Sequence, residues 1–206
     1  VKGPAPQKIL LHSFLGEPKV CAPVRILEPH GFLATIPGVR VRSEVKTAHL
    51  QVGAAGEAKI FLWQRSFFTN IAQQEALIRQ GYLVLAEMDD DPLRWPSHSA
   101  NDFFMFRSCH GVQVSTEPLG ELMRQYNPNV AVFPNQLTLL PEPRNYGDDG
   151  VVTLFFGALN REDDWLPVMG SLNAVLEKYH DRVKVVVVHD RKFFNELKTC
   201  NKEFSP

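Results

Sequence analysis

With 206 residues, 44% of them hydrophobic and 22% charged, the chain has the composition of an ordinary soluble protein with enough apolar residues for a good core. Its formal net charge of -1 and lack of a long Lys/Arg run argue against nucleic acid as the main partner, because neutralising phosphates takes a clustered basic surface. No stretch approaches 18 consecutive apolar residues, so no transmembrane segment is predicted, and peripheral membrane association is left open.

The opening VKGPAPQ shows no signal-peptide pattern and no initiator Met, so the chain is expected to be processed or cut from something longer. Lys8–Ser13 reads as a first strand. Pro23–Glu28 reads as a short helical turn opened by one proline and stopped by Pro29. Val39–Val45 alternates Val39, Val41 and Val45 with Arg40, Arg42 and Glu44, as a strand with one exposed face does. Ala58–Trp63 is a buried-type strand running into Gln64 and Arg65. Asn70–Arg79 reads as a helix with Ile71, Leu77 and Ile78 inward and Gly81 as its stop.

The next stretch, Tyr82–Pro92, is the most informative. Tyr82–Ala86 is an apolar run suited to a strand buried on both faces, and it stops on Glu87, Asp89, Asp90 and Asp91 before Pro92. In an open parallel sheet ligands bind at the carboxyl ends of strands, so a rigid element here delivers acids to the place where such folds do chemistry. A solvated acidic turn that caps the following segment is the alternative reading.

Phe103–Phe106 is expected to be a short helical segment capped by Asn101 or Asp102, its rings simply core. Gly111–Ser115 follows as a strand, Pro118–Tyr126 as a helix with a hydroxyl cap and an early acid and proline, and Val130–Phe133 as a further strand. The Pro/Gly-rich stretch 134–150 has linker composition. Beyond it, Val151–Phe156, Asp163–Tyr179, Val183–Val188 and Lys192–Lys198 form a second strand–helix–strand–helix set. The predicted fold is therefore α/β, a Rossmann-like parallel sheet with helices on both faces. Residues 1–134 form the first domain, 135–150 the linker, and 151–206 the beginning of a second. With only two strands that piece leaves an apolar edge unpaired, so the domain is expected to continue past Pro206.

Cys21, Cys109 and Cys200 are widely spaced, and no CxxC, HxH or HExxH occurs. No metal site or disulfide framework is predicted. A reducing, cytoplasmic setting fits, with all three cysteines as buried or half-buried fillers.

The segment VQVSTEPLGELMRQYNPNVAVFPNQL, followed after the linker by VVTLFFGALNREDDWLPVMGSLNAVL, resembles the junction of the two domains in GT-B glycosyltransferases. In that family the first domain closes on a strand ending in a Pro-Asn pair, matched here by Pro134 and Asn135. The second opens on a strand running into a glycine at the nucleotide-sugar site, matched by Gly157. LAEMDDDP also looks like first-domain strands of some bacterial members. Ala158 follows Gly157 where many members carry Arg, Asp163 and Asp164 fall where a Lys would, and Gln64–Arg65 stand where many retaining members carry a His.

The resemblance implies a transferase moving a sugar from a nucleotide-sugar donor, its substrate, to a saccharide or other hydroxyl acceptor, with no further cofactor. Asp89, Asp90 and Asp91 are the candidate acids and bases. Arg65 and Glu87 are the candidate acceptor or anion contacts. Gly157, Asn160, Arg161 and His189 are the candidate donor site, with Arg161 balancing the phosphate charge. The chain by itself is expected to be inactive. Two other readings stay open: a GT-A-like enzyme in which the DDD acids hold a divalent cation, and a non-enzymatic receiver-like module.

Overall fold

The computed structural model describes residues 8–45, 56–66, 71–136, 138–143 and 150–206. They fall into two compact units, Val1–Leu140 and Pro141–Pro206.

The first unit is a six-stranded sheet in the order β2-β1-β3-β4-β5-β6. Its strands are β1 (Lys8–Leu15), β2 (Val39–Glu44), β3 (Glu57–Gln64), β4 (Tyr82–Met88), β5 (Gly111–Val114) and β6 (Val130–Val132), and every pairing is parallel. The chain winds one way from β1 to β2 and the other way from β3 to β6. Right-handed crossovers therefore place helices on opposite faces, with a topological switch point between β1 and β3. On one face β3 and β4 present Phe61, Trp63, Val84, Ala86 and Met88 to a core that also holds Leu77, Phe106, Leu119 and Met123. On the other, Leu15, Leu62 and partly buried Leu85 pack with Ala22 and Ile26. The sheet is thus Rossmann-like and flanked by helices, as the alternation of strand and helix signals predicts.

Several local expectations need correction. The helical turn does not stop at Pro29. A π-helical turn, Pro23–Leu27, runs straight into α1 (Glu28–Leu33). Pro29 falls at the start of this second segment, where a missing N–H costs little, and the wider turn before it absorbs the change of register. In α2 (Ile71–Arg79) Ile71 and Ile78 are exposed, while Gln74 and Leu77 face the sheet. Gln74 tolerates burial because its amide donates to the Ser108 carbonyl at 2.9 Å. Asn70, the expected first residue of that helix, lies outside the described residues.

A 3-10 turn, Pro92–Arg94, and α3 (Pro96–Ala100) were not anticipated. Neither Asn101 nor Asp102 caps α4 (Phe104–Arg107). Asn101 donates back to Ser97, and Asp102 pairs with Arg107. Phe103 and Phe106 are core, as expected. Thr116 caps α5 (Glu117–Met123) through its hydroxyl.

The second unit holds a parallel sheet ordered β7-β8-β9, from β7 (Val152–Phe156), β8 (Val183–Val188) and β9 (Lys202–Ser205). The sequence reading missed β9, which is short and polar and carries no strand-like apolar run. The 17-residue α6 (Glu162–Lys178) runs through Pro167, and α7 (Arg191–Glu196) follows β8. Trp165, Met169, Leu176, Val185, Val187 and Phe193 form this unit's own core, with Phe156 stacked on Phe193 at 3.7 Å between ring centroids. Of the cysteines, Cys109 is buried and Cys21 half-buried, but Cys200 is exposed rather than a filler.

Candidate functional site

The carboxyl ends of β1, β3 and β4 converge at the switch point. There Gly16 brings the β1 end against β3 so closely that a Cβ on it would lie 2.4 Å from the Arg65 carbonyl oxygen. Its own N–H donates to the Gln64 carbonyl at 2.8 Å. One residue on, Arg65 adopts φ 43°, a left-handed conformation that a non-glycine residue holds only when its surroundings enforce it.

The Arg65 side chain explains what is enforced. Its guanidinium lies 3.5 Å from Asp89 and 3.5 Å from Asp90, donates to the Cys21 sulfur at 2.9 Å, and sits over the Trp95 ring at 4.8 Å. Both carboxylate distances exceed the roughly 2.7–2.9 Å of a made charge-assisted hydrogen bond, so the cation is surrounded but under-bonded. Burial, with Asp89 adding to it, pushes the Cys21 thiol up to about 11 and keeps it a neutral thiol.

The three aspartates have different surroundings. Asp89 is largely buried, and its backbone carbonyl accepts from the Ser115 hydroxyl. Asp90 keeps 46% of its side chain exposed and is the most accessible acid beside Arg65. Asp91 accepts from the Leu93 N–H at 2.9 Å and so caps the turn after Pro92, which is the part of the cluster that matches the capping alternative. The three acids, Thr116, Pro118, Leu119 and Leu122 line a concavity of about 310 Å³. That lies at the small end of the roughly 300–1,000 Å³ range typical of small-molecule sites. The carboxylates follow β4, while Thr116, Pro118, Leu119 and Leu122 come from the cap and body of α5. Among the described residues no group of three or more His, Cys, Asp or Glu could hold a metal ion. The positive charge between Asp89 and Asp90 is instead the guanidinium of Arg65.

Glu87 is not at the mouth of this site. It is fully buried on the opposite face of β4, level with Gln64 on β3. It accepts from Arg25 Nε at 2.7 Å. Burial outweighs that guanidinium and raises the Glu87 carboxyl to about 7. Arg25 also donates to the Phe133 carbonyl and, at 3.1 Å, to Asn135. Sequence reading missed Arg25 because a basic residue between Val24 and Ile26 reads as a solvated position, and only the π-turn rotates it onto the sheet. Cys21, Trp95 and Thr116 were also missed as site partners. Their roles come from proximity across elements, which no spacing in the sequence displays.

In the second unit, Gly157, Asn160 and Arg161 follow β7, and His189 follows β8, so all four lie at the carboxyl edge of adjacent strands. Asn160 and His189 take positive φ values of 55° and 66°. The local charge is unfavourable for a phosphate. Glu162, Asp163 and Asp164 fill the first turn of α6, and Arg161 is turned towards Asp164 at 3.5 Å. Lys192, which the sequence reading placed at a helix start and not in the site, pairs with Glu162 at this edge. The space over Gly157 is taken by the Phe155 ring, 2.7 Å from where a Cβ would stand.

No described helix is long and apolar enough to cross a membrane. No family model and no curated protein matches the sequence. Among solved structures, a chain of the Glycosylation Associate Protein (Gap123) complex from Streptococcus agalactiae is similar at a TM-score of 0.40 and 10% identity, over 72% of this chain and 34% of that one. The chain thus spans about a third of that neighbour's length, and a likeness so distant carries no functional argument.

Proposed function

We propose that the first unit is the acceptor side of a glycosyltransferase of GT-B type, and that residues 151–206 belong to the nucleotide-sugar side. The observation that carries this reading is the concavity of about 310 Å³ at the carboxyl edge of β4, lined by Asp89–Asp91 together with Leu119 and Leu122 of α5. Such a surface suits a polyol. Carboxylate oxygens accept hydrogen bonds from hydroxyls, and apolar side chains cover the C–H face of a sugar ring.

In this reading Asp90, half-exposed and steered by Arg65, takes the proton of an acceptor hydroxyl. That oxygen bonds to the anomeric carbon of the donor as the bond from that carbon to the phosphate oxygen breaks, and a nucleoside diphosphate leaves. Asp89 and Arg65 fix the position of Asp90. Gly157, Asn160, Arg161 and His189 are the proposed donor contacts, and the acids of the first turn of α6 predict weak nucleotide binding there.

The test is an NMR titration of the full chain with a panel of neutral saccharides and with UDP, GDP and dTDP. Saccharide-induced shifts at Asp89–Asp91 and Thr116, weakened at least tenfold in Asp90→Asn, support the reading. Saccharides that leave these signals unmoved, or shifts there that need manganese, overturn it. Where turnover is measurable, Asp90→Asn lowers it by roughly 10²–10⁴-fold, the worth of a positioned base.

A further inference from the structure

We propose that the buried Arg25–Glu87 pair is a proton-operated latch on the segment Phe133–Asn135, where the chain leaves the first sheet. The geometry stands apart from the glycosyl-transfer reading. Arg25 comes from the π-helical turn, Glu87 from the end of β4, and the held atoms, the Phe133 carbonyl and the Asn135 side chain, follow β6. One guanidinium therefore joins three parts of the fold that are far apart in sequence, and it is nearly inaccessible to water, at 3% side-chain exposure.

The counter-charge decides whether that arrangement holds. A buried guanidinium bonded only to neutral oxygens carries a large desolvation cost, so the clamp on Phe133 and Asn135 depends on an ionised Glu87. The second oxygen of Glu87, Oε2, has no hydrogen-bond partner among the described residues, so a proton can be added there without breaking a bond already made. The charged groups acting on Glu87 are Arg25 from the π-turn, Arg65 just past the end of β3 and Asp89 just past the end of β4. Gln64 on β3 and Gln113 on β5 stand level with it in the sheet and are neutral. Two cations oppose one acid and the burial, and the balance places the carboxyl at about 7, where ordinary changes of pH move it.

Above neutral pH Glu87 is ionised and Arg25 fastens the segment. Below it Glu87 takes up a proton, Arg25 loses its counter-charge, and the guanidinium exchanges its two carbonyl contacts for water.

The experiment is a pH titration of the full chain by NMR between pH 5.5 and 8.5, following the Glu87 side-chain carboxyl carbon, the Arg25 Nε–H and the backbone and side-chain amides of Asn135. The expected result is one shared midpoint near 7, with the Arg25 Nε–H slowly exchanging above it and broadened below. In Glu87→Gln the Asn135 signals are expected to stay at their low-pH positions throughout. Asn135 signals that do not move while Glu87 titrates, or that titrate equally in Glu87→Gln, overturn the latch. If Glu87→Gln does not fold, the wild-type midpoints alone decide: different midpoints for Glu87 and Asn135 refute it, and a common one supports it.

Discussion

Replacing Gly16 by alanine tests the switch-point geometry most directly. A Cβ built on Gly16 lies 2.4 Å from the Arg65 carbonyl oxygen and 2.7 Å from that of Gln64, against 3.4 Å for the start of ordinary contact. Relief therefore takes a displacement of about 1 Å (3.4 − 2.4), and both obstacles are backbone at the end of a central strand. Overpacking of this kind costs about 1–3 kcal/mol, and strain on the Gly16 N–H to Gln64 bond adds about 1 kcal/mol. The expected loss is therefore about 2–4 kcal/mol in the first unit.

Two other glycines serve as controls. A Cβ on Gly157 meets only the exposed ring of Phe155, which can swing aside, so Gly157→Ala is expected to change stability by less than about 0.5 kcal/mol. Gly31, inside α1, has nothing within 4 Å of its Cβ position, so Gly31→Ala should gain about 0.5–1 kcal/mol from helix propensity. Urea unfolding of the three variants, read by far-UV circular dichroism, gives the ranking. Gly16→Ala within about 0.5 kcal/mol of Gly157→Ala would refute the close approach of β1 and β3.

Other perturbations have equally definite signs. Burial holds His30 and His98 near pKa 4, so the neutral ring contributes stability that is fully present above about 6.5 and lost as pH falls towards 4. Glu87 acts oppositely: its raised carboxyl contributes stability that is full below about 4.5 and lost as pH rises through about 7. Urea midpoints should therefore fall on acidification from pH 6.5 to 4, and more steeply in Glu87→Gln. Equal slopes in the two proteins would contradict the opposing signs. In the second unit, Phe193→Ala removes a ring that is 4% exposed and stacked on Phe156, at an expected cost of about 3–5 kcal/mol. Amide exchange should rise throughout β7, β8 and α6, and exchange unchanged in those elements would contradict the packing described for Phe193.

The sequence by itself determined the alternation of strands and helices, and hence the parallel sheet. Runs such as Ala58–Trp63 and Tyr82–Ala86 carry apolar residues on both faces, which a parallel sheet flanked by helices accommodates. It also determined that the carboxyl end of β4 is acidic and that a hydroxyl at Ser115 or Thr116 starts a helix, because a capping hydroxyl and a first-turn acid are local signals; the structure selects Thr116.

What only the tertiary structure decided is how those residues are paired. Glu87 lies in β4 and Asp89 just beyond its end, two positions apart, yet Glu87 is buried with Arg25 while Asp89 lines the open site and faces Arg65. Each partner is set by the neighbouring strand and by the π-turn that rotates Arg25 inward, neither of which leaves a periodic mark in the sequence. Gln74 and Ile71 exchanged their expected places for a related reason. A hydrogen bond to Ser108 lets a polar side chain take the buried position, and burial patterns alone do not register such a bond. The polar β9 was illegible as well, because it is a strand by virtue of pairing with β8 and not by its own propensity.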